Sequence, residues 1–266
     1  MQNEAIVVCD SVNRASRITT IKITTPIWVW YEVLTHRQFC RNAASTRAMS
    51  FEKFRQNCTA KPSVFTKYER TMASNVEVDP DGPNEVWERA RDWAGVQHCR
   101  MEALGVSKQD TNILMLPFWN VQGLITSTNW DNFFALRTAE TARPDMQILA
   151  KNIREALNNS TPVALPRGEW HIPFGGKLIE SAARCARVSY DSKGDDRKLG
   201  ERLLRDMHMS PFEHQAVSLG DEVQIDNYFG WMSQRAYIES GPRKWVLDRP
   251  TAQRFYAEYD PQRSDR

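Results

Sequence analysis

Residues 18–47, ITTIKITTPIWVWYEVLTHRQFCRNAASTR, hold the passage from strand to helix to functional motif on which the fold turns. Ile18 to Thr25 alternates β-branched and polar residues, the period of a strand. Pro26 ends that strand and suits the first turn of a helix, which the run to Leu34 continues. Behind the helix, His36, Arg37, Arg41 and Arg47 surround Asn42, Ser45 and Thr46, with no acidic residue from Thr35 to Arg47. A solvated helix face normally mixes in Asp or Glu, so an all-donor segment suits phosphate. Ser45, Thr46 and Arg47 form its tightest part, where hydroxyl, backbone N–H and guanidinium converge on one phosphate. The competing readings are a basic surface loop and an arginine cluster on nucleic acid.

Outward from this stretch, residues 56–83 read as a solvated excursion ending in the turn Asp-Pro-Asp-Gly-Pro (79–83). Asn84 is placed to cap a helix from Glu85 to Leu104, with Val86, Ala90, Trp93 and Val96 as its apolar side and Gly105 as its stop. A third helical segment covers roughly 130–157, with Phe133, Phe134, Leu136, Met146, Leu149 and Ile153 apolar, and Pro144 kinks or splits it. A connection over 158–170 leads to an element at Lys177–Tyr190. A helix at Asp195–Met207 follows, with Leu199, Leu203 and Met207 on one face. His208–His214 (HMSPFEH) is a polar loop broken by Pro211, in which Ser210 and Glu213 have capping-box spacing. The absence of βαβ alternation favours an α+β domain over a doubly wound sheet. The expected organisation is a single domain over 1–242 and a polar tail over 243–266.

Composition narrows the class. A hydrophobic share of 41% and a charged share of 26% are globular values, and a net charge of +2 gives no global field for a polyanion. Apolar runs are too short to span a membrane, and the first residues carry no signal-peptide pattern. Five widely spaced cysteines without a CxxC pair suit reduced thiols in a cytoplasmic protein, and no zinc pattern occurs. No GxGxxG, Walker A or G-x-S-x-G is present.

Three further candidates need weighing. Arg137 ends the aromatic stretch NWDNFFALR; its stem either lies along an apolar face or fixes a guanidinium toward a planar anion or pyrimidine edge. Cys40, four residues after His36, lacks a third orienting group and is a weak nucleophile candidate. The tryptophans, including Trp28, Trp30, Trp93, Trp119, Trp130, Trp170, Trp231 and Trp245, read one by one as core.

Together, three blocks resemble the flavin-dependent thymidylate synthases, the ThyX family. The signature R-H-R-x-x-S-x-N-x-x-S-x-R stands here as Thr35-His-Arg-Gln-Phe-Cys-Arg-Asn-Ala-Ala-Ser-Thr-Arg47. The block H-x-[ST]-P-F-E-H is His208-Met-Ser-Pro-Phe-Glu-His214, preceded by AARCARVSY (182–190). N-F-x-x-L-R is Asn132-Phe-Phe-Ala-Leu-Arg137, followed by Ala142-Arg-Pro-Asp145. The resemblance implies a ThyX-like α+β domain with a mixed or antiparallel sheet and long helices, assembled as a homotetramer that binds FAD. It implies transfer of a one-carbon unit from methylenetetrahydrofolate to C5 of a pyrimidine deoxynucleoside monophosphate, dUMP by default, with NADPH as reductant. Carried over by position, His36, Arg37, Asn42, Thr126, Thr128, Asn132, His208, Ser210 and Glu213 fall at the flavin. Glu32, Ser45, Thr46 and Arg47 fall at the nucleotide, and Arg137 at the pyrimidine, where it stabilises negative charge during reaction. No metal, membrane or nucleic acid is implied.

The departures are specific. The PFEH block follows the arginine block, an order resembling the longer, phage-type branch. Thr35 replaces the leading Arg, Ala43 a Glu, Glu32 a Gln and Ile113 an Arg, while Thr126 and Thr128 replace an N-x-R. Each lost charge-assisted bond costs about 1.5–3 kcal/mol if uncompensated, so weakened dUMP binding is expected. The alternatives are dCMP as substrate, selected by Glu32 through an exocyclic amino group, a hydroxymethyl product, or a flavin- or nucleotide-binding relative without turnover.

Overall fold

The computed structural model describes residues 2–69, 76–189 and 194–240. Strands β1 (Glu4–Val12) and β2 (Arg17–Pro26) form an antiparallel hairpin. Helix α1 (Ile27–Val33) starts directly behind Pro26, as its sequence predicts. Next come β3 (Cys40–Ala43), α2 (Phe51–Gln56), α3 (Asp81–Ala103) and α4 (Lys108–Thr111). A 3-10 helix (Asn112–Phe118) leads into β4 (Asn120–Ser127), α5 (Asp131–Arg137) and α6 (Pro144–Asn158). Then follow β5 (Val163–Ala164), β6 (Trp170–His171), α7 (Leu178–Ala186) and α8 (Asp196–Arg205). The turn Ser210–Glu213 is 3-10. β7 (Ala216–Ser218), β8 (Gln224–Ile225), β9 (Tyr228–Phe229), β10 (Trp231–Ser233) and α9 (Gln234–Glu239) close the described chain.

The main sheet runs β3-β4-β2-β1-β5, antiparallel except where short β5 lies parallel to β1. The fold is therefore α+β with a mixed sheet. On one face, Ile21, Ile23, Val121 and Ile125 pack with Val29, Trp30 and Val33 of α1 and Met146, Leu149 and Ile153 of α6. Trp30 crosses β4 so closely that a Cβ on Gly123 would lie 2.6 Å from its ring, which restricts that position to glycine. On the other face, Ile18 and Cys40 meet Ala216, Tyr228 and Trp231 of a second layer that includes the sheet β10-β7-β6. A satellite core joins α7 and α8 to Phe212 and Ile238.

Both faces of β2 are thus covered, and Thr19, Thr20 and Thr25 are buried with its isoleucines. Pro144 splits the third helical segment and sits in the first turn of α6. Gly105, at φ 76°, ends the long helix as expected. Asp195 caps α8 through Lys198 N.

Three expectations change. Helix α3 begins at Asp81 with Asn84 inside it, and its expected apolar side is outermost: Val86 is 69% exposed, Trp93 64% and Val96 46%. Trp87 and Ala94 pack on the main core instead, and buried His98 bonds to Asn112 Oδ1 at 2.8 Å. Two stripes competed for burial, and the one with a polar anchor docked. Ser210 forms no capping box; Met209 is the N-cap, and Glu213 accepts from Arg235. The 56–83 excursion carries a bridge between Thr66 and Glu77, with residues 70–75 outside the described set. Tyr190, Trp245 and the 243–266 tail also lie outside the described residues. Among the described residues, no helix is long and apolar enough to cross a membrane.

Candidate functional site

The last turns of two short helices bring the charged residues together. α1 presents Glu32, the following turn Thr35 and His36, the end of α5 Arg137, and the N-cap of α6 Arg143. Arg137 donates from Nε to His36 Nε2 at 2.9 Å, from NH1 to Glu32 Oε2 at 2.8 Å, and from NH2 to Thr35 Oγ1 at 2.9 Å. Arg143 Nε donates to Glu32 Oε1 at 2.9 Å, so two guanidinium groups hold one carboxylate. A cavity of about 370 Å³ opens here, lined by Glu32, Val64, Thr66, Arg137 and Arg143 among others.

Burial and the charges of Arg137 and Arg41 lower the pKa of His36 to about 4. The ring is therefore neutral near pH 7, and its bare Nε2 accepts the Arg137 bond. Phe133 packs edge-on to it at 5.0 Å and Phe39 stacks at 5.5 Å. Arg41 also departs from the phosphate-donor reading. Its guanidinium donates to the carbonyls of Phe39 (2.7 Å) and Leu34 (3.0 Å), which holds the 34–39 turn in shape. Of the four cationic or ring donors read in 35–47, Arg37 and Arg47 remain exposed.

A second polar group, uncharged and enclosed, crosses the space between the two sheets. Asn42 Nδ2 donates to Cys185 O at 3.0 Å, and its Oδ1 is bonded to His214 Nε2 at 3.0 Å. His214 Nδ1 is bonded to Thr126 Oγ1 (2.8 Å), Thr126 to Thr20 (2.7 Å), and Thr20 to His171 Nε2 (2.9 Å). His171 Nδ1 reaches Ser11 Oγ at 2.9 Å and Cys9 Sγ at 3.4 Å. Burial pulls the pKa of both histidines down to about 3, so both are neutral. Register explains the row: Thr20 pairs with Cys9 and Thr126, and Thr126 with Cys40, on one face of the sheet. Two expected flavin contacts, Asn42 and Thr126, are thereby committed to protein partners, and Thr126 is fully enclosed.

The other expected residues are dispersed. Arg47 N donates to Ser45 Oγ at 3.3 Å, and Thr46 O accepts from Asn112 at 2.8 Å, which ties that turn to the 3-10 helix. Thr128 Oγ1 accepts from Phe229 N, while Asn132, His208 and Ser210 are exposed. Glu213 is engaged by Arg235 at 2.6 Å, and burial raises its pKa against that partner. Thr128 lines a cleft of about 430 Å³ with Gln38, Trp130, Asp131, Asn227 and Phe229. Trp130 has a buried indole N–H without a partner. Cys40 is buried beside Asn227, and burial pushes its thiol up to about 12, which removes it as a nucleophile. Arg143, Thr20 and His171 were not singled out from the sequence. Arg143 sits before a helix-starting proline, and Thr20 lies in a threonine-rich strand; neither pattern alone signals a site.

The chain matches no protein-family model and no curated protein sequence.

Proposed function

We propose that the protein is a flavin-dependent one-carbon transferase acting at C5 of a pyrimidine deoxynucleoside monophosphate, with dUMP the default substrate. The observation that carries this reading is convergence. The three blocks that resemble the ThyX family lie far apart in sequence yet touch through Arg137–His36 (2.9 Å) and Asn42–His214 (3.0 Å). The donor set suits a phosphate-bearing aromatic ligand. The Thr128 cleft is lined by Gln38, Trp130 and Asn227 among others, and Arg37, beside Gln38, is exposed.

In this reading FAD, when bound, supplies the reducing equivalents that complete the one-carbon transfer. Methylenetetrahydrofolate supplies the carbon and NADPH restores the flavin. Arg37, Thr128, Asn132 and Ser210 hold the flavin, while Ser45, Thr46 and Arg47 hold the nucleotide phosphate. Arg137 faces the pyrimidine and stabilises negative charge there, because a guanidinium already oriented by His36 and Thr35 needs little reorganisation. Neutral His36 accepts at Nε2 and adds no competing positive charge. The protein acts in the cytoplasm as a homotetramer.

A second reading, a flavin- or nucleotide-binding relative without turnover, is favoured by one observation. Arg137 is engaged by Glu32, His36 and Thr35 together, leaving few N–H groups for a ligand. Loading with FAD and the absorption spectrum test both readings; a preparation that cannot be loaded sinks both. Tritium release from [5-³H]dUMP or dCMP, with methylenetetrahydrofolate and NADPH, then separates enzyme from relative.

A further inference from the structure

The cavity beside Arg137 is lined by two carboxylates, and their oxygens are used differently. Both oxygens of Glu32 are taken, Oε1 by Arg143 and Oε2 by Arg137. Asp145, in the first turn of α6, is 3% exposed. Four chain donors reach it (Gln2 Nε2, Asn3 Nδ2, Ser63 N and Ser63 Oγ), and all four end on Oδ1. Oδ2 has no partner among the described residues, yet it is not enclosed, so it is the oxygen that Asp145 turns to the cavity. A carboxylate set this deeply, with one oxygen saturated and the other open, calls for an N–H on the ligand. Arg143, two residues before it, is bonded only through Nε among the described residues and keeps its terminal nitrogens for the same ligand. Pro62, Val64 and Ala142 add apolar wall to a cavity of about 370 Å³, which is room for a nucleobase.

We propose that Asp145 is the base-reading residue of this cavity, and that the pyrimidine it selects carries an amino group at C4, cytosine in place of uracil. Cytosine sets two acceptors, O2 and N3, beside its amino donor, which matches the Arg143 guanidinium beside Asp145 Oδ2. Uracil presents O4 where cytosine has the amino group, and two acceptors then face each other. Glu32 cannot serve this purpose without releasing an arginine. The inference rests on the reading of the Arg137 cavity as the pyrimidine site, and it narrows the default nucleotide there from dUMP to dCMP.

Calorimetric titration of the full chain with three nucleotides tests it without turnover: dCMP, dUMP, and the pyrimidin-2-one analogue of dCMP that lacks the amino group. Wild-type protein is expected to bind dCMP more tightly than either of the others, by about tenfold or more. Asp145→Asn keeps an acceptor under the four donors and turns an amide NH₂ to the cavity, so dUMP should become the tighter ligand. Ser63→Ala loosens Oδ1 and leaves Oδ2 in place, so it should weaken dCMP and dUMP alike and keep their ratio. Should Asp145→Asn not fold, the analogue decides the matter with wild-type protein alone. Equal binding of dCMP and the analogue overturns the proposal, as does a wild-type preference for dUMP. So does a preference unmoved by Asp145→Asn, or one that Ser63→Ala moves as far. Binding of no nucleotide overturns the pyrimidine-site reading as well. Selectivity for dCMP without tritium release from [5-³H]dCMP upholds the role of Asp145 and sinks only the transferase reading.

Discussion

The cluster around Arg137 and the row of polar groups between the sheets both draw on the Thr35–Arg47 segment, through His36 and Asn42, yet they use polarity in opposite ways. In the first, Arg137, Glu32 and Arg143 form ion pairs beside a cavity, Arg137 and Glu32 part-buried and Arg143 half-exposed. In the second, Asn42, His214, Thr126, Thr20 and His171 are uncharged, and each is bonded to its neighbour. Charges near solvent keep their hydration and can exchange partners with a ligand, whereas enclosed neutral groups have no alternative to one another. A motif residue can therefore serve the scaffold while the residue beside it serves the site.

Arg137→Ala should break the comparison hardest on the functional side. Turnover in the tritium-release assay should fall about 10²–10³-fold, while the urea midpoint moves little because Arg143 still holds Glu32. A large stability loss with normal turnover would reverse the two roles. On the scaffold side, Thr126→Val keeps shape but leaves His214 Nδ1 and Thr20 each short of a partner. Equilibrium unfolding should show a loss of about 2–3 kcal/mol; a loss under 1 kcal/mol would mean the row contributes little.

Acid should separate the regions too. The folded pKa values of His171 and His214 lie near 3, below the usual 6.5, so the unfolded chain takes up protons first. Stability is then fully present above pH 6.5 and is lost as pH falls, by about 2 kcal/mol per histidine at pH 5. Urea midpoints measured from pH 8 to 5 should decline accordingly, and a flat profile would contradict neutral burial. The smallest effect is expected of Glu32→Gln, at under about 1 kcal/mol for a part-exposed ion pair. Because the carboxylate is shared by two arginines, its loss should change nucleotide affinity by only a few-fold. An unchanged dUMP/dCMP preference would remove Glu32 as the base selector.

Local signals with a covalent basis were legible in the sequence. Pro26 and Pro144 mark helix starts because proline lacks an N–H and has a fixed φ, and Gly105 marks a stop because it tolerates φ 76°. The alternation of Ile18 to Thr25 was readable as a strand, but not that a second layer would cover its threonine face. That layer comes from residues about 150–210 positions later, which no local window contains. The same blindness inverted α3, where Trp93 was the stronger apolar signal and Trp87 found the core. The meeting of Arg137 with His36 could be suspected from the blocks, while the role of Arg41 in holding the 34–39 turn depends on carbonyl directions that sequence does not display.

The buried row also has a sense of direction. Asn42 directs its amide N–H to Cys185 O, so its oxygen faces His214 as an acceptor and His214 Nε2 must carry the proton. Neutral His214 then accepts at Nδ1 from the Thr126 hydroxyl, which accepts from Thr20, which accepts from His171 Nε2–H. His171 Nδ1 is left bare toward Ser11 and Cys9. One amide on β3 thus dictates the tautomers of two imidazoles and the rotors of two hydroxyls across the width of the sheet. Both rings should show the Nε2–H pattern of nitrogen shifts in NMR, and turning the Asn42 amide over would oblige every proton in the row to move.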